Sequence, residues 1–377
     1  MASWLHSALA CSRPVFDDGR LVPAVAALPI DRDTWARSLG VSREAIELYA
    51  SSEVVDLHVD SFIWSRVFGY DLLQRHGRGL LGGRGYSQVD LPRLEDARIG
   101  GALWSITTNP LRNAAGRARA FTDNLASMKA WIDAAPERWS LVRTADEHGA
   151  ARARKLHAVF LSVQGGNALD AVDERVLADR ALTAVTLVHL SNSTIGTTSS
   201  PLRSARSSGL TKRGYELIER LNAHRIFVDL AHISPQGFAD AVRVHDASQP
   251  LMVSHTGLSG VHPLWRNIDD QQLKQVADSG GVIGVIFHSA YLGDPYWGAG
   301  RVDRIAAHLE HIVRVVGADH AALGSDWDGA IVTPRDMPTC SELPRLVQAL
   351  LDRKVAHDAI QKLLGASFLR ALRMLRG

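Results

Sequence analysis

Cysteine is nearly absent, with Cys11 and Cys340 alone in 377 residues. A chain of this length can bury a core without covalent staples, and so few thiols exclude a disulfide scaffold and fit a reducing compartment. No apolar run approaches the roughly 20 residues of a membrane span. The N-terminus lacks the basic start and long apolar stretch of a signal peptide. Ala8-Leu9-Ala10-Cys11 has the form of a lipoprotein cleavage site, but no basic region precedes it, so a cytoplasmic location is expected. Neither sign of charge dominates: 42 Lys and Arg stand against 40 Asp and Glu, a net charge of +2. Nothing there argues for a nucleic-acid partner. No Gly-x-Gly-x-x-Gly follows the first strand, which argues against a dinucleotide fold. No Gly-x-Ser-x-Gly elbow is present, which weakens a covalent serine route.

What is present is a regular succession of short apolar runs. They are Val54–Asp60, Gly101–Ile106, Ala158–Gln164, Ala184–His189, Ile226–His232, Leu251–His255, Val282–Phe287 and Ala321–Asp326. They are rich in Val, Ile and Leu and mostly unalternating, as strands read when both faces of a parallel sheet are covered. Helical patterns lie between many of them: Thr211–Ala223, Pro235–Val244 after Ser234, Asp269–Asp278, Val302–Val316 and the C-terminal Ala356–Leu375. Eight strands alternating with helices imply an α/β fold, a (β/α)8 TIM barrel, rather than an open sheet. Residues 53–377 are assigned to it. Residues 1–52 are read as an extension packing on the barrel, with a short helix over Arg43–Ala50 after the cap residue Ser42. Gly77–Arg93 is read as a loop over the barrel mouth.

Active sites of such barrels lie at the C-terminal ends of the strands. Here those ends read His58-Val59-Asp60, Gln164, His189, Asp229-Leu230-Ala231-His232, Ser254-His255 and Ser325-Asp326-Trp327-Asp328. A lone strand-end histidine is more often structural than a ligand, and Asp326 or Asp328 alone could cap a turn. The series of imidazoles and carboxylates is what points to chemistry. Residues i and i+2 of a strand share a face, so His58 and Asp60 can reach one cation, and Asp56 falls on the same side by that period. Nitrogen and oxygen donors together suit zinc or a similar dication, which acidifies water and polarises a carbonyl. Trp64, Trp104, Trp265 and Trp327 lie near strand ends; each reads most simply as packing, but together they hint at an aromatic-lined pocket. His288, after the seventh strand, reads as a surface-loop residue or a local adaptation.

At these residues the sequence resembles the renal (membrane) dipeptidases of the amidohydrolase superfamily. The resemblance rests on Val55–Asp60, Gln88–Arg93, Gly209–Thr211, Val228–Ser234, Val253–His255, Arg266-Asn267, Gly324–Gly329 and Gly365–Arg370, taken in order and spacing. It implies a hydrolase cleaving a dipeptide or small amide bearing a carboxylate. By resemblance, His58, Asp60 and Asp326 would bind a first metal, with Asp326 also handling the proton. His232 and His255 would bind a second. His189 would polarise the scissile carbonyl, and Arg266, with Asn267 beside it, would hold the substrate carboxylate. The family's members commonly form homodimers.

The sequence departs from the family pattern where the third strand normally ends Glu-Gly-Gly-His, for here it reads Gln164-Gly165-Gly166-Asn167. The glutamate normally bridges both metals, and a neutral amide bridges poorly and brings no charge. One tightly held Zn2+ is expected, with a second ion weak and ordinary dipeptides poor substrates. The ion's expected ligands are His58, Asp60 and Asp326, with a histidine from the fifth or sixth strand. Two other readings follow from Gln164: a mononuclear relative tailoring a peptide-like metabolite, and a non-catalytic descendant that binds a ligand.

Overall fold

Short runs dense in β-branched residues become strands that pair in parallel and close into a ring. The computed structural model describes residues 31–77, 80–108, 111–200, 208–294 and 300–377, and Arg32–Gly377 form one unit. In chain order the strands are β1 (Val55–Val59), β2 (Gly101–Thr107), β3 (Trp139–Leu141), β4 (His157–Gln164), β5 (Leu182–Thr186), β6 (Phe227–Asp229), β7 (Met252–Thr256), β8 (Val282–Val285) and β9 (Ala321–Leu323). Neighbours run β2-β1-β9-β8-β7-β6-β5-β4, and a β2–β4 pairing seals the barrel. All eight expected strands are present. The addition is β3, which pairs only with the first half of β4 and lies outside the ring. Three residues give no periodic signal.

Every barrel strand contributes at least one residue to a single apolar cluster, among them Val55, Leu103, Phe160, Ala184, Phe227, Met252, Val282 and Ala322. This cluster is the barrel interior. The C-terminal segment closes it, with the Phe368 ring edge-on to Phe160 at 5.1 Å. Sequence periodicity gives that segment as one helix, but it is three pieces: His357–Gln361, a π turn at Lys362–Ala366, and Ser367–Arg376. The break falls at Gly365, where a Cβ would stand 2.5 Å from the Glu53 carbonyl oxygen. Close backbone approach, not helix propensity, decides the geometry there.

The interstrand helices start where the cap residues place them. Thr211, Ser234 and Asp269 each accept a hydrogen bond from a first-turn amide, which satisfies a donor the helix itself leaves open. The stretch read as a loop over 77–93 ends in a helix, Leu91–Asp96, whose cap is Asp90. In the extension, helices Arg32–Leu39 and Arg43–Ser51 contribute Trp35, Ile46 and Tyr49 to the main core. The Tyr49 hydroxyl donates to the Ala97 carbonyl at 2.6 Å. Cys11 and the Ala8–Cys11 segment lie outside the described residues. Among the described residues no helix is long and apolar enough to cross a membrane.

Two irregularities in the ladder position the site. The β1–β2 register shifts between Asp56 and Val59, and the β7–β8 register shifts between Val253 and Thr256. An extra residue in one strand breaks the period of two and re-aims the side chains beyond it. Val55 and Leu57 face the barrel interior, yet His58, the next residue within the shifted stretch, also turns inward. His255 turns inward by the same device, and the two imidazoles meet at 4.0 Å between centroids. The simple i, i+2 argument therefore holds for His58 and Asp60 but not for Asp56.

Candidate metal centre

Asp56 instead works on the backbone. Its carboxylate accepts from the His58 amide at 2.9 Å and from the Ser325 amide at 3.1 Å, joining β1 to the loop after β9. From that loop the Asp326 amide donates to the His58 carbonyl at 3.0 Å, and the Asp60 amide donates to the Trp327 carbonyl at 2.9 Å. His58, Asp60 and Asp326 are thus fixed to one another through main-chain bonds. Asp326 and His232 both take left-handed backbone conformations, with φ of 62° and 65°. Such values are uncommon outside glycine and cluster at functional sites. Neither residue belongs to its strand: β6 stops at Asp229 and β9 at Leu323.

The ring nitrogens and carboxylate oxygens converge. One donor atom each from His58, His255 and Asp326 lies within 4.8 Å of the others. His58 Nε2 stands 3.6 Å from Asp60 Oδ1 and 3.8 Å from Asp326 Oδ1. Both distances exceed hydrogen-bond length, and His58 Nε2 and Asp60 Oδ1 are buried without a hydrogen-bond partner. Buried polar atoms of a native protein are rarely left so. Two orphaned donor atoms facing a third ligand fit a cation held between them, and the imidazole–carboxylate set suits zinc or a similar dication. His232 Nε2 lies 2.8 Å from His255 Nε2, and Gln164 Nε2 lies 3.4 Å from His232 Nε2. The Gln164 oxygen turns the other way and accepts from Thr107 Oγ1 at 3.1 Å.

Electrostatics separates the groups. Burial disfavours a proton on His58, but the charges of Asp60 and Asp326 more than offset it and raise its pKa to about 9. Burial, reinforced by Asp60, raises Asp326 to about 8, while at Asp60 burial works in the same direction but is outweighed by the charge of His58, which holds it below the usual carboxylate range. Burial drives His232 and His255 well below the ordinary histidine value and lowers His189 to about 4. Three imidazoles are therefore held neutral beside His58 and Asp60, which favour their charged forms, and Asp326, whose burial favours the protonated acid.

The remaining expected residues divide between contacts with this centre and roles away from it. The His189 ring is edge-on to His232 at 4.8 Å. Arg266 is buried, donates Nη2 to the His255 carbonyl at 2.8 Å, and has no partner for Nε. Asn267 donates to the carbonyls of His262 and Tyr291 at 2.8 and 2.9 Å, bracing the loop that carries Arg266. Asp328 is tied to Ser61, Gln88 and Val89 and stays out of the ligand group. Asn167 follows Gly165, its side-chain oxygen 3.2 Å from where a Gly165 Cβ would be. His288 is buried rather than on a surface loop, and its Nδ1 accepts from the Val332 amide at 3.1 Å. Trp104 and Trp327 are fully buried core residues. Trp64 stacks with Tyr86 at 5.0 Å, and Trp265 meets Tyr291 at 6.0 Å, so only two of the four indoles stand in aromatic pairs outside the deep core. Asp229 and Ser254, which lie within the motifs at the ends of β6 and β7, are joined by hydrogen bonds to each other and to His255.

A family model described as membrane dipeptidase (peptidase family M19) matches residues 42–376. The chain belongs to the membrane dipeptidase family. Solved structures share the fold. A probable dipeptidase of Pseudomonas aeruginosa superposes with a TM-score of 0.78 at 18% identity, covering 90% of this chain and 99% of that one. A metallopeptidase of Rhodobacter sphaeroides, solved with a phosphinate mimic of the dipeptide L-Ala-D-Ala, superposes with a TM-score of 0.74 at 23% identity, covering 86% and 99%. A curated relative, described as an uncharacterized protein in the pqqA 5′ region of Klebsiella pneumoniae, is 36% identical over 171 residues. That match spans 44% of this chain and 60% of the relative.

Proposed function

We propose that this family member is a metal-dependent hydrolase of a small dipeptide-like amide bearing a carboxylate, working with one firmly held dication. The observation that carries the reading is the convergence of His58, His255 and Asp326 donor atoms, with the buried Arg266 bonded to the His255 carbonyl. His58, Asp60, Asp326 and His255 would hold the ion, His255 being the histidine expected from the fifth or sixth strand. A bound zinc ion would polarise the scissile carbonyl and bring the pKa of water towards neutrality.

The chain's own residues supply the rest. Arg266 holds the substrate carboxylate through its planar, always-charged fork, because its buried Nε needs an acceptor. Neutral His189 donates a ring N–H to the oxygen on which charge develops. Asp326 accepts a proton from the attacking water and returns it to the departing amine nitrogen, so the proton count closes on one carboxylate. Gln164 contributes no charge and leaves His232 and His255 without the carboxylate a second ion requires, which supports one tight ion over two. The test is a panel of dipeptides and N-acyl amino acids offered to chelated protein with and without added zinc, alongside Asp326→Ala. Zinc-dependent cleavage of a carboxylate-bearing amide, lost in Asp326→Ala, supports the reading; metal-independent cleavage or full activity of Asp326→Ala contradicts it.

A further inference from the structure

Asp229 accepts four hydrogen bonds inside the barrel. Oδ1 takes the Ser254 amide at 2.8 Å and the Ala231 amide at 3.1 Å. Oδ2 takes the Ser254 hydroxyl at 2.6 Å and the Thr186 hydroxyl at 2.5 Å. Asp229 and Ser254 are each 1% exposed, so bulk solvent does not reach these bonds. The second contact of the Ser254 hydroxyl is His255 Nδ1, at 2.8 Å.

A serine hydroxyl has one proton to give. An ionised carboxylate can only accept, so that proton lies on the Ser254–Asp229 bond. Ser254 Oγ must then accept from His255, which places the imidazole proton on Nδ1. The lone pair of His255 is left on Nε2, the nitrogen that faces His232 and the ligand group. A histidine binds a metal only through a bare nitrogen, and the partner of its other nitrogen decides which one is bare.

We propose that Asp229, acting through Ser254, is the positioning residue that fixes the tautomer and ring orientation of His255 for metal binding. The same carboxylate reaches further. By holding the Ala231 amide it anchors the turn on which His232 adopts its left-handed backbone. By holding Thr186 it ties down the end of β5, from which the chain runs on to His189. One buried carboxylate therefore organises His255 on β7 and two imidazoles in the segments just after β5 and β6. The burial that keeps His255 neutral agrees with this arrangement.

The inference rests on the metal-site reading above, so one arm of its test needs no metal. Nitrogen-15 NMR of histidine-labelled, chelated protein, with His255 assigned by its loss in His255→Gln, reads the tautomer directly. The wild type should show His255 protonated on Nδ1, and Ser254→Ala should shift the population towards Nε2–H. In the second arm, cobalt(II) is titrated into the apo-proteins and followed by its visible absorption. Ser254→Ala should bind 10–100-fold more weakly than wild type, and Ser254→Thr, which keeps the hydroxyl, should recover most of that loss. An Nε2–H tautomer in the wild type, or unchanged tautomer and cobalt affinity in Ser254→Ala, would overturn the proposal. If the wild type binds no cobalt at all, the metal reading fails while the tautomer arm still decides the role of Asp229 and Ser254.

Discussion

The carboxamide of Gln164 sits between Thr107 and His232, its oxygen 3.1 Å from the threonine hydroxyl and its nitrogen 3.4 Å from the imidazole Nε2. A carboxylate in the same place would present an oxygen and a negative charge to His232 and its neighbour His255. Gln164→Glu is therefore expected to turn a weak second metal site into a firm one, strengthening binding of the second zinc ion by at least tenfold. Calorimetric titration of apo-protein with zinc measures this. An unchanged isotherm would make the glutamine incidental.

Arg266 is expected to act on substrate binding through charge. Arg266→Ala should raise KM for a carboxylate-bearing substrate by about 10–100-fold, the worth of a charge-assisted hydrogen bond. The matching carboxamide substrate should change far less. Kinetics on the acid and amide pair decides the point, because equal losses would mean that the arginine only supports the loop through the His255 carbonyl.

Most of the barrel was legible because its strands are continuous apolar runs and its helices start at good caps such as Thr211 and Ser234. Three of the expected strand-end residues, His58, His255 and Asp326, also lie together. What stayed hidden depends on register. Period two places Asp56 beside His58, but the shift after Asp56 separates their duties, one securing backbone and the other facing the centre. The helix break at Gly365 is likewise set by contact with a distant segment, Glu53. His288 reads as a loop residue because its partner, Val332, lies 44 positions away. The role of Ser254 needed the geometry of two neighbouring strands, since a serine before a histidine carries no signal of its own.

Stability should fall in mild acid. His157 is buried, with Nδ1 bonded to the Ile99 carbonyl at 3.0 Å and Nε2 accepting from the Trp104 indole at 3.2 Å. The bond from Trp104 needs an unprotonated Nε2, and burial lowers the ring's pKa to about 4 from 6.5. Because the folded value lies below the unfolded one, its contribution is complete above about pH 6.5 and lost as pH falls towards 4. The loss is at most about 1.4 kcal/mol per pH unit for one histidine. Urea midpoints of metal-free protein between pH 7 and 4 should decline, and His157→Gln should flatten the decline. Equal slopes in both proteins would refute this assignment.

The barrel interior sets the cost of disturbing the fold. Phe160 meets Phe368 edge-on beneath the site. Phe160→Ala should destabilise the protein by about 3–5 kcal/mol, because the ring of strands cannot collapse into the void. Chemical denaturation measures it, and a loss under 1 kcal/mol would show that the interior repacks.

The central claim is a single metal ion held by His58, Asp60, His255 and Asp326. Its most direct test is elemental analysis of protein dialysed to equilibrium against buffered zinc, counted per chain. One zinc per chain, falling to well under half in Asp326→Ala, is the predicted result. Two fully occupied ions in the wild type, or none, would contradict it.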